Sequence, residues 1–466
     1  MEFGEFWQRF TSAEQRGEAF QFELLGVKLW PVFRTRIFYR LAQDLDIFQD
    51  PHPAQNSAAS ESADWKLPAD LAASETVVVP FRRRVEATDP YSLDIISELR
   101  ESGRQFSVLD FDDDSEPVDI GRLRAWGISQ FEAGLAEEFR VWRQQQLNRW
   151  QGWRPRLGTP MHYEQRWKLL AASLEAEFGV PLGDFHDLPR WRLRRLFAHA
   201  RAFERYFASR KVRRLFLVNS YSNPDIVLGA KLAGARVIEL QHGFISPMHP
   251  AYSFPRGAKS EVLPDELLVW GEHWKAEARL PRGTKIRIAG PTSQFLATRA
   301  AMSQRPATAG SAHREREIVF TSQGALAQQL LESALAFAAA LPDCQVIYRL
   351  HPNEELESYR ARLPQGQPKN FELSHRVPKF LDLLQQRPIV VGGFSTTLYE
   401  AAGLGLPAIA LDLPGHEHLA SAVAAGDMQL VRGVNPAAEK IRELVTSARP
   451  AKNPQRYYAQ ARRSYF

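Results

Sequence analysis

Ionisable side chains follow two predicted strands in the first half of the chain. The apolar run VIEL at 237–240 leads into Gln241-His242-Gly243, and His249 follows in a segment with several prolines. The neighbouring segment NSYSNPD ends on Asp225. Histidine can accept a proton from an attacking hydroxyl near neutral pH. His242 is therefore the predicted general base, with His249 and Asp225 as alternatives. The structural alternative for His242 is a residue that only caps a strand end.

A glycine-rich turn in the second half of the chain has the features of a phosphate site. In IVVGGFSTTLYE (389–400), an apolar run ends at Gly392 and Gly393, and Ser395, Thr396 and Thr397 open a predicted helix. Glycines let the backbone approach a ligand closely. The first turn of a helix offers unpaired N–H groups to an anion. The alternative is an ordinary N-capped helix, which needs only one hydroxyl.

Three further residues belong to the same predicted site. Glu400 lies one turn into the helix, where a carboxylate could accept hydrogen bonds from ribose hydroxyls. His351 follows a predicted strand, and Pro352 prevents a helix from continuing through the turn. His351 is expected to point into a cleft and donate to a phosphate. Gln323 in TSQG ends another predicted strand and could contact phosphate or sugar.

Two other polar segments are predicted to be loops without a part in the site. The string DFDDDSE at 110–116 could hold a divalent metal, but an acidic loop after a strand is the favoured interpretation. The pair of histidines in GHEH at 415–418 lacks further metal ligands, so we predict a polar loop. No metal and no cofactor is expected.

The elements that must position these residues alternate between apolar strands and helices, which predicts parallel sheets. The predicted fold is α/β, with two doubly wound Rossmann-like domains facing across a cleft. The predicted boundaries are a helical N-terminal region and linker (1–70), a first domain (71–295) with a helical insertion (about 120–210), a linker (296–317), a second domain (318–434) and C-terminal helices that cross back to the first domain (435–466). Ligands in such folds bind at the carboxyl ends of the strands.

Basic residues are concentrated in two segments of a chain with a formal net charge of +5. WPVFRTRIFYRLAQDL at 30–45 predicts an amphipathic helix that packs on the body, with a membrane-facing foot as the alternative. Residues 190–214 predict a helix with one apolar and one cationic face, which is either solvated or in contact with anionic lipid. No recognition motif for nucleic acid accompanies the charge.

Composition and targeting signals favour the cytosol. The chain of 466 residues has one cysteine, which excludes an intrachain disulfide framework. Its N-terminus lacks the pattern of a signal peptide, and no apolar stretch is long enough to span a membrane. The expected location is cytoplasmic, either free or peripheral on the inner face of the membrane.

Together, RLHP, GGFSTTLYEAAGLGLPAIALD and the QHG strand end resemble the GT-B superfamily of nucleotide-sugar glycosyltransferases, over residues 210–430. Within it the nearest resemblance is to bacterial enzymes that build capsule, lipopolysaccharide or teichoic acid. The resemblance implies that His351, Ser395 and Thr396 hold the donor phosphate, often that of a cytidine nucleotide. It also implies that Glu400 contacts ribose.

The chain departs from parts of this superfamily. The acidic pair of the sialyltransferases is replaced by QHG, which is similar to the Trp-His-Gly of polyol-phosphate polymerases. The second glutamate of many retaining enzymes is lacking, which favours inversion. The expected activity is transfer of a sugar from a CMP- or other nucleotide-sugar to a glycan or lipid-linked glycan. A nucleotide-sugar epimerase, a polyol-phosphate transferase and a non-catalytic partner are the alternatives.

Overall fold

The structure is a computed structural model, and it describes residues 1–24, 26–48, 74–80, 89–109, 161–182, 188–304, 316–352, 354–432 and 436–466. The acidic string 110–116, the predicted linker at 51–70 and the start of the helical insertion lie outside the described residues.

The first domain contains a six-stranded parallel sheet in the order β4-β3-β5-β6-β7-β8. Its strands are β3 (Thr76–Val79), β4 (Phe106–Val108), β5 (Arg214–Val218), β6 (Arg236–Leu240), β7 (Glu266–Val269) and β8 (Lys285–Ile288). The inner strands are buried along nearly their whole length because helices cover both faces. A short antiparallel hairpin, β1 (Glu23–Leu24) and β2 (Val27–Lys28), precedes the sheet.

The second domain repeats this architecture with the order β11-β10-β9-β12-β13-β14, again parallel throughout. Its strands are β9 (Arg316–Thr321), β10 (Cys344–Arg349), β11 (Phe371–Ser374), β12 (Ile389–Gly392), β13 (Ala408–Leu411) and β14 (Gln429–Val431). In both sheets the order runs outward in two directions from a central strand, which makes them doubly wound. The predicted α/β fold with two doubly wound Rossmann-like domains is confirmed.

The helices of the N-terminal region and first domain are α1 (Phe3–Arg16), α2 (Trp30–Asp44), α3 (Pro90–Glu101), α4 (Met161–Phe178), α5 (Leu188–Ser209), α6 (Pro224–Leu232), α7 (Glu272–Glu277) and α8 (Ser293–Gln304). Those of the second domain and C-terminal segment are α9 (Ala327–Ala340), α10 (Leu356–Arg360), α11 (Phe380–Leu384), α12 (Thr396–Gly403), α13 (Ala420–Ala424) and α14 (Ala438–Ser447).

The basic helix α2 packs into the body of the protein, and its Arg34 is only 1% exposed. The guanidinium of Arg34 donates to both carboxylate oxygens of Glu14 on α1, at 2.5 and 2.8 Å. It also donates to the carbonyl oxygens of Pro250, at 2.7 Å, and Ser253. The alternative prediction of a membrane-facing foot is therefore wrong for Arg34, because its guanidinium is buried and hydrogen-bonded inside the protein.

The predicted linker at 296–317 begins as a helix, because α8 continues to Gln304. Alanine is a strong helix former, and the buried side chains of Phe295, Thr298 and Met302 anchor α8. Residues 305–315 lie outside the described residues.

The C-terminal segment is helical only in α14 and a short 3₁₀ turn at Pro454–Arg456. It then runs along the first domain: Ala459 N–H donates to the Trp270 carbonyl at 2.9 Å, and Arg463 N–H to the Ala289 carbonyl at 2.7 Å. Tyr465 packs into the core of the first sheet. The segment thus joins both domains, through an extended backbone and not through the helices that composition predicts.

Candidate functional site

Gly392, the last residue of β12, and Gly393, which follows it, occupy positions where a side chain would clash. A Cβ on Gly392 would lie 2.6 Å from Thr321 Oγ1. A Cβ on Gly393 would lie 2.8 Å from Leu326 Cδ1 and 3.0 Å from Gln323 Oε1. The end of β9 and the end of β12 therefore approach each other closely only because both positions are glycine. This approach places Gln323 directly beside the glycine turn.

The three hydroxyls after the glycines have different environments. Ser395 is the N-cap of α12, and its Oγ accepts from Thr397 N–H at 3.3 Å. Thr397 Oγ1 lies 2.9 Å from Ser395 Oγ and 3.0 Å from Thr321 Oγ1. Ser395 and Thr397 thus complete an internal network. Thr396 is half-buried, and its hydroxyl makes no hydrogen bond to any described residue, so it remains available to a ligand.

Gln323 contributes a further polar atom at the same turn. Its Oε1 is buried and has no hydrogen-bond partner among the residues that the structure describes. Buried oxygen atoms in folded proteins normally have a partner, so one without a partner needs an explanation. A bound ligand or water at the turn would provide the missing donor.

The surroundings of Glu400 and His351 differ from those of the glycine turn. Glu400 is half-buried on α12, close to Tyr458 of the C-terminal segment; burial, and secondarily the Glu400 charge, raises the pKa of Tyr458. His351 is exposed, and its backbone N–H donates to Glu354 Oε2 at 2.6 Å. Glu354 Oε1 also accepts from Ser322 Oγ at 2.9 Å. The HPNE turn is therefore built around Glu354, with the imidazole of His351 on its outside.

His242 lies at the carboxyl end of β6, where Gln241 fixes the turn. Gln241 Nε2 donates to the Gly243 carbonyl at 2.9 Å, and Gln241 Oε1 accepts from Trp270 N–H at 3.0 Å. His242 is half-buried, with the ring of Tyr221 at 6.2 Å and that of Tyr91 at 6.5 Å. Gln241 thereby ties the end of β6 to the end of β7 and sets the direction of the histidine.

His249 is in a different state from His242. It is 6% exposed, and its Nδ1 accepts from Ala251 N–H at 3.1 Å. Burial, followed by the charges of His242 and Arg34, lowers its pKa from 6.5 to about 3. His249 is therefore neutral and its Nδ1 is occupied, which suits a structural role better than proton transfer.

Asp225 has a fixed partner away from the turn. Its Oδ2 lies 2.7 Å from Nδ1 of His199 on α5, and His199 is 1% exposed. Its Oδ1 accepts from the Ile226 N–H at 3.0 Å. This geometry ties α6 to α5, so the structure gives Asp225 a packing role.

The loops after β6 and β12 meet across the boundary between the domains. The rings of Phe244 and Phe394 are 5.8 Å apart, and Ser246 Oγ lies 2.6 Å from His418 Nδ1. His418 belongs to the GHEH segment, so this segment is a domain contact and not a solvent-facing polar loop. Burial lowers the pKa of His418 well below its ordinary value.

The N-terminal helix α1 also reaches this junction. Gly4 N–H donates to Glu417 Oε1 at 2.7 Å, and the ring of Phe3 lies 4.7 Å from that of His418. The ring of Phe48 lies 5.4 Å from that of Phe394. The N-terminal region therefore closes one side of the junction between the two domains.

A narrow cleft opens on the first domain near His242. It lies at the carboxyl ends of β6, β7 and β8 and has a volume of about 10 Å³, which is room for one water molecule. Its lining includes Tyr91, Gln241, Trp270, Gly290 and Thr292. The cleft adjoins His242 through Tyr91.

The described residues contain neither a metal-ligand cluster nor a helix that could span a membrane. No group of three or more His, Cys, Asp or Glu side chains is placed to hold a metal ion there. In the same part of the chain, no helix combines the length and apolar character that crossing a membrane requires.

Sequence reasoning missed several residues that shape the site. Glu239, Ser246 and His418 carry contacts between loops, and Glu14 partners Arg34. Glu239 alone gave a signal, as a carboxylate inside an apolar strand. The other pairs depend on contacts between residues far apart in sequence.

Comparison with known proteins adds no family assignment. No protein-family model matches the chain, and no curated protein matches it in sequence. Solved structures that superpose on it include the spinosyn rhamnosyltransferase SpnG with spinosyn aglycone, at 18% identity and a TM-score of 0.40, covering 80% of this chain and 90% of that one. MnaA of S. aureus with UDP superposes at 12% identity and a TM-score of 0.46, covering 83% of this chain and 93% of that one. MurG of Acinetobacter baumannii superposes at 14% identity and a TM-score of 0.43, covering 80% of this chain and 90% of that one. These TM-scores are below 0.5, and the fold assignment rests on the strand order of this chain.

Proposed function

We propose that this protein is a glycosyltransferase that moves a sugar from a nucleotide-activated donor to a hydroxyl of a glycan acceptor. The observation that carries the proposal is the meeting of two strand-end loops, one from each sheet, at Phe244 and Phe394. One loop carries a histidine suited to proton transfer, and the other carries a glycine turn and helix start suited to phosphate. Transfer from a nucleotide-sugar needs both functions at one place.

The donor phosphate binds at the turn between β12 and α12. The backbone at Gly393 has no side chain, Thr396 offers a hydroxyl that no described residue uses, and Gln323 Oε1, buried beside them, accepts from a hydroxyl of the donor sugar. The positive end of the α12 dipole stabilises the charge that develops on the leaving nucleotide. Glu400, further along α12, is assigned to the ribose, and His351, on the outside of its turn, to a phosphate contact made when the donor binds.

His242 acts as the base that deprotonates the acceptor hydroxyl during an inverting transfer without a metal ion. His249 has a pKa of about 3 and an occupied Nδ1, and Asp225 is paired with His199, so both are less suited to the task. The acceptor approaches His242 beside the rings of Tyr91 and Tyr221, which lie 6.5 and 6.2 Å from the imidazole. Aromatic side chains pack well against the apolar faces of sugars.

The acceptor is a growing bacterial surface glycan, as the motif resemblance implies, and the enzyme works at the inner face of the membrane. Arg205, Lys211 and Arg214 are exposed at and after the end of α5, where they suit an anionic surface. Arg34 of α2 is buried and takes no part in this surface.

Calorimetric titration of the full chain with CMP, CDP, UDP and GDP tests the donor site. We expect at least one nucleotide to saturate the wild-type protein. The variant T396V should bind it about 10-fold more weakly, because one hydrogen bond to a charged oxygen is lost. The matched control is T446V on α14, where the hydroxyl only bonds Arg442 of its own helix. Failure of all four nucleotides to bind, or equal affinity in T396V, would overturn the donor site.

A further inference from the structure

We propose that Glu239 is a positioning residue for His242, acting through Ser220 and Tyr252 on the two segments that pack beside the imidazole. The inference rests on the proposed function, because it assigns a role in the turnover step of that same site. Glu239 itself contacts neither the donor turn nor the open cleft.

Glu239 joins two segments that are otherwise separate. It is the fourth residue of β6 and is 1% exposed. Ser220 Oγ, just beyond the end of β5, donates to Glu239 Oε2 at 2.6 Å. The hydroxyl of Tyr252, in the loop after His249, donates to Glu239 Oε1 at 2.8 Å. One carboxyl group therefore holds both the end of β5 and the His249 loop.

A carboxyl group inside a parallel sheet is costly unless it is neutral and hydrogen-bonded. Burial raises the pKa of Glu239, and the hydrogen bonds from Ser220 and Tyr252 oppose that rise only in part. Glutamine has the same shape as glutamate and can hold both hydroxyls, accepting from one through its oxygen and donating to the other through its nitrogen. An apolar side chain would fill the same space at lower cost, so the retained polar group points to a positional requirement.

The two residues that hydrogen-bond to Glu239 belong to the segments whose aromatic rings pack near His242. Tyr221, next to Ser220, has its ring 6.2 Å from that of His242 and 6.0 Å from that of His249. The ring of Tyr252 lies 5.0 Å from that of His249 and 6.0 Å from that of Tyr221. The aromatic surface under His242 therefore depends on where Ser220 and Tyr252 are held.

The His249 loop is held from its other side as well. Arg34 donates to the carbonyl oxygens of Pro250 and Ser253, which flank Tyr252. The loop backbone is fixed by this guanidinium, and the remaining freedom lies in the Tyr252 side chain and its Glu239 partner. Loss of Glu239 is therefore expected to shift the packing beside His242 while the protein stays folded.

The test uses the full chain and measures nucleotide release from a donor sugar together with donor affinity. Three variants are compared with wild type: E239L, E239Q and Y252F. We expect E239L to lower turnover by up to about 100-fold, the loss typical of a misplacement of about 1 Å, with unchanged donor affinity. E239Q should restore most of the wild-type rate, because its Oε1 can accept from one of the two hydroxyls while its Nε2 donates to the other. Y252F, which lacks one hydroxyl, should fall between them.

The matched control is V237A, which removes apolar atoms from the same strand as Glu239. It should lower the melting temperature while turnover at 25 °C stays at the wild-type value. The inference is overturned if E239L is folded and turns over like wild type, or if E239Q is as slow as E239L. If E239L does not fold, Y252F decides, and wild-type turnover in that variant overturns the inference. If wild type binds and consumes no nucleotide-sugar, the proposed function itself has failed.

Discussion

The hydroxyl of Ser246 and Nδ1 of His418 lie 2.6 Å apart, and this hydrogen bond joins the first domain to the second. Both side chains are buried, and the rings of Phe3, Phe244 and Phe394 surround the imidazole. The bond fixes the loop that follows His242 against the segment after β13, whose His418 packs against Phe394 of the turn proposed to hold the donor. Domain closure and assembly of the site therefore depend on the same contact.

The variant S246A tests this contact. It leaves the buried Nδ1 of His418 without its hydrogen-bond partner, and we expect a loss of about 1–3 kcal/mol in the free energy of unfolding. Urea unfolding at neutral pH measures the change. The control is S358A, because Ser358 is only half-buried and its hydroxyl donates to the Glu355 carbonyl of the same turn. Equal stability of S246A and S358A would contradict the importance of the domain contact.

The variant G393A tests the close approach of β9 and β12. A Cβ there would press on Leu326 Cδ1 at 2.8 Å and Gln323 Oε1 at 3.0 Å. We expect the displaced Gln323 to lower nucleotide affinity by about 10-fold, while the melting temperature changes little because the glutamine side chain can move. Calorimetry with the nucleotide that binds wild type gives the result. Unchanged affinity would show that the donor does not approach this backbone.

The variant G403A should destabilise the protein, although a glycine-to-alanine substitution within a helix usually stabilises one. Alanine in place of glycine within a helix ordinarily stabilises by about 0.5–1 kcal/mol. Here a Cβ would overlap the Tyr458 ring and approach Phe295 Cζ at 3.2 Å. Tyr458 is stacked between Trp270 and Phe295, so it cannot withdraw easily. We expect a loss of about 1–3 kcal/mol in unfolding free energy, and a gain in stability would refute the packing of α12 against the C-terminal segment.

His273 makes the fold sensitive to acid. It is 1% exposed and packs against Trp274, Tyr399 and Tyr457, and neither ring nitrogen has a hydrogen-bond partner among the described residues. Burial, and secondarily the Arg456 charge, lowers its pKa from 6.5 to about 3. Between these pH values the unfolded chain binds a proton that the folded chain does not, so stability falls as the pH falls from 6.5 toward 3.

The variant H273F should therefore be more stable than wild type at pH 5, and the advantage should shrink above pH 7. Phenylalanine fills the aromatic site without burying an unpaired nitrogen, so about 1 kcal/mol of gain should remain at neutral pH. Melting temperatures measured from pH 4.5 to 8 give the comparison. Curves that stay parallel across this range would contradict the titration of His273.

The sequence predicted the sheets well because their strands are short apolar runs bounded by turn residues. Strands β5, β6, β9 and β12 were all located in this way, and the carboxyl ends of parallel strands share one edge of a sheet. Strand β11 was missed because it is an edge strand of four residues with mixed polarity. Residues 296–304, most of α8, were assigned to a linker because their alanines and polar residues show no clear apolar face.

The candidate site was predictable in its parts and not in its assembly. Local rules located the glycine turn and the N-cap at Ser395, since both depend on neighbouring residues. They did not reveal that Ser395 and Thr397 satisfy each other, leaving Thr396 as the available hydroxyl. Nor did they find the contact between Ser246 and His418, which are separated by 172 positions. Such pairs are determined by how the domains pack.

Turnover of the variant H242A is the most direct test of the account. The proposed function places donor binding on the second domain and proton transfer on the first, so the two should separate in this variant. We expect H242A to bind the nucleotide-sugar with wild-type affinity and to transfer the sugar about 100- to 10,000-fold more slowly, which is the usual contribution of a general base. Wild-type turnover in H242A, or loss of donor binding together with turnover, would contradict the account.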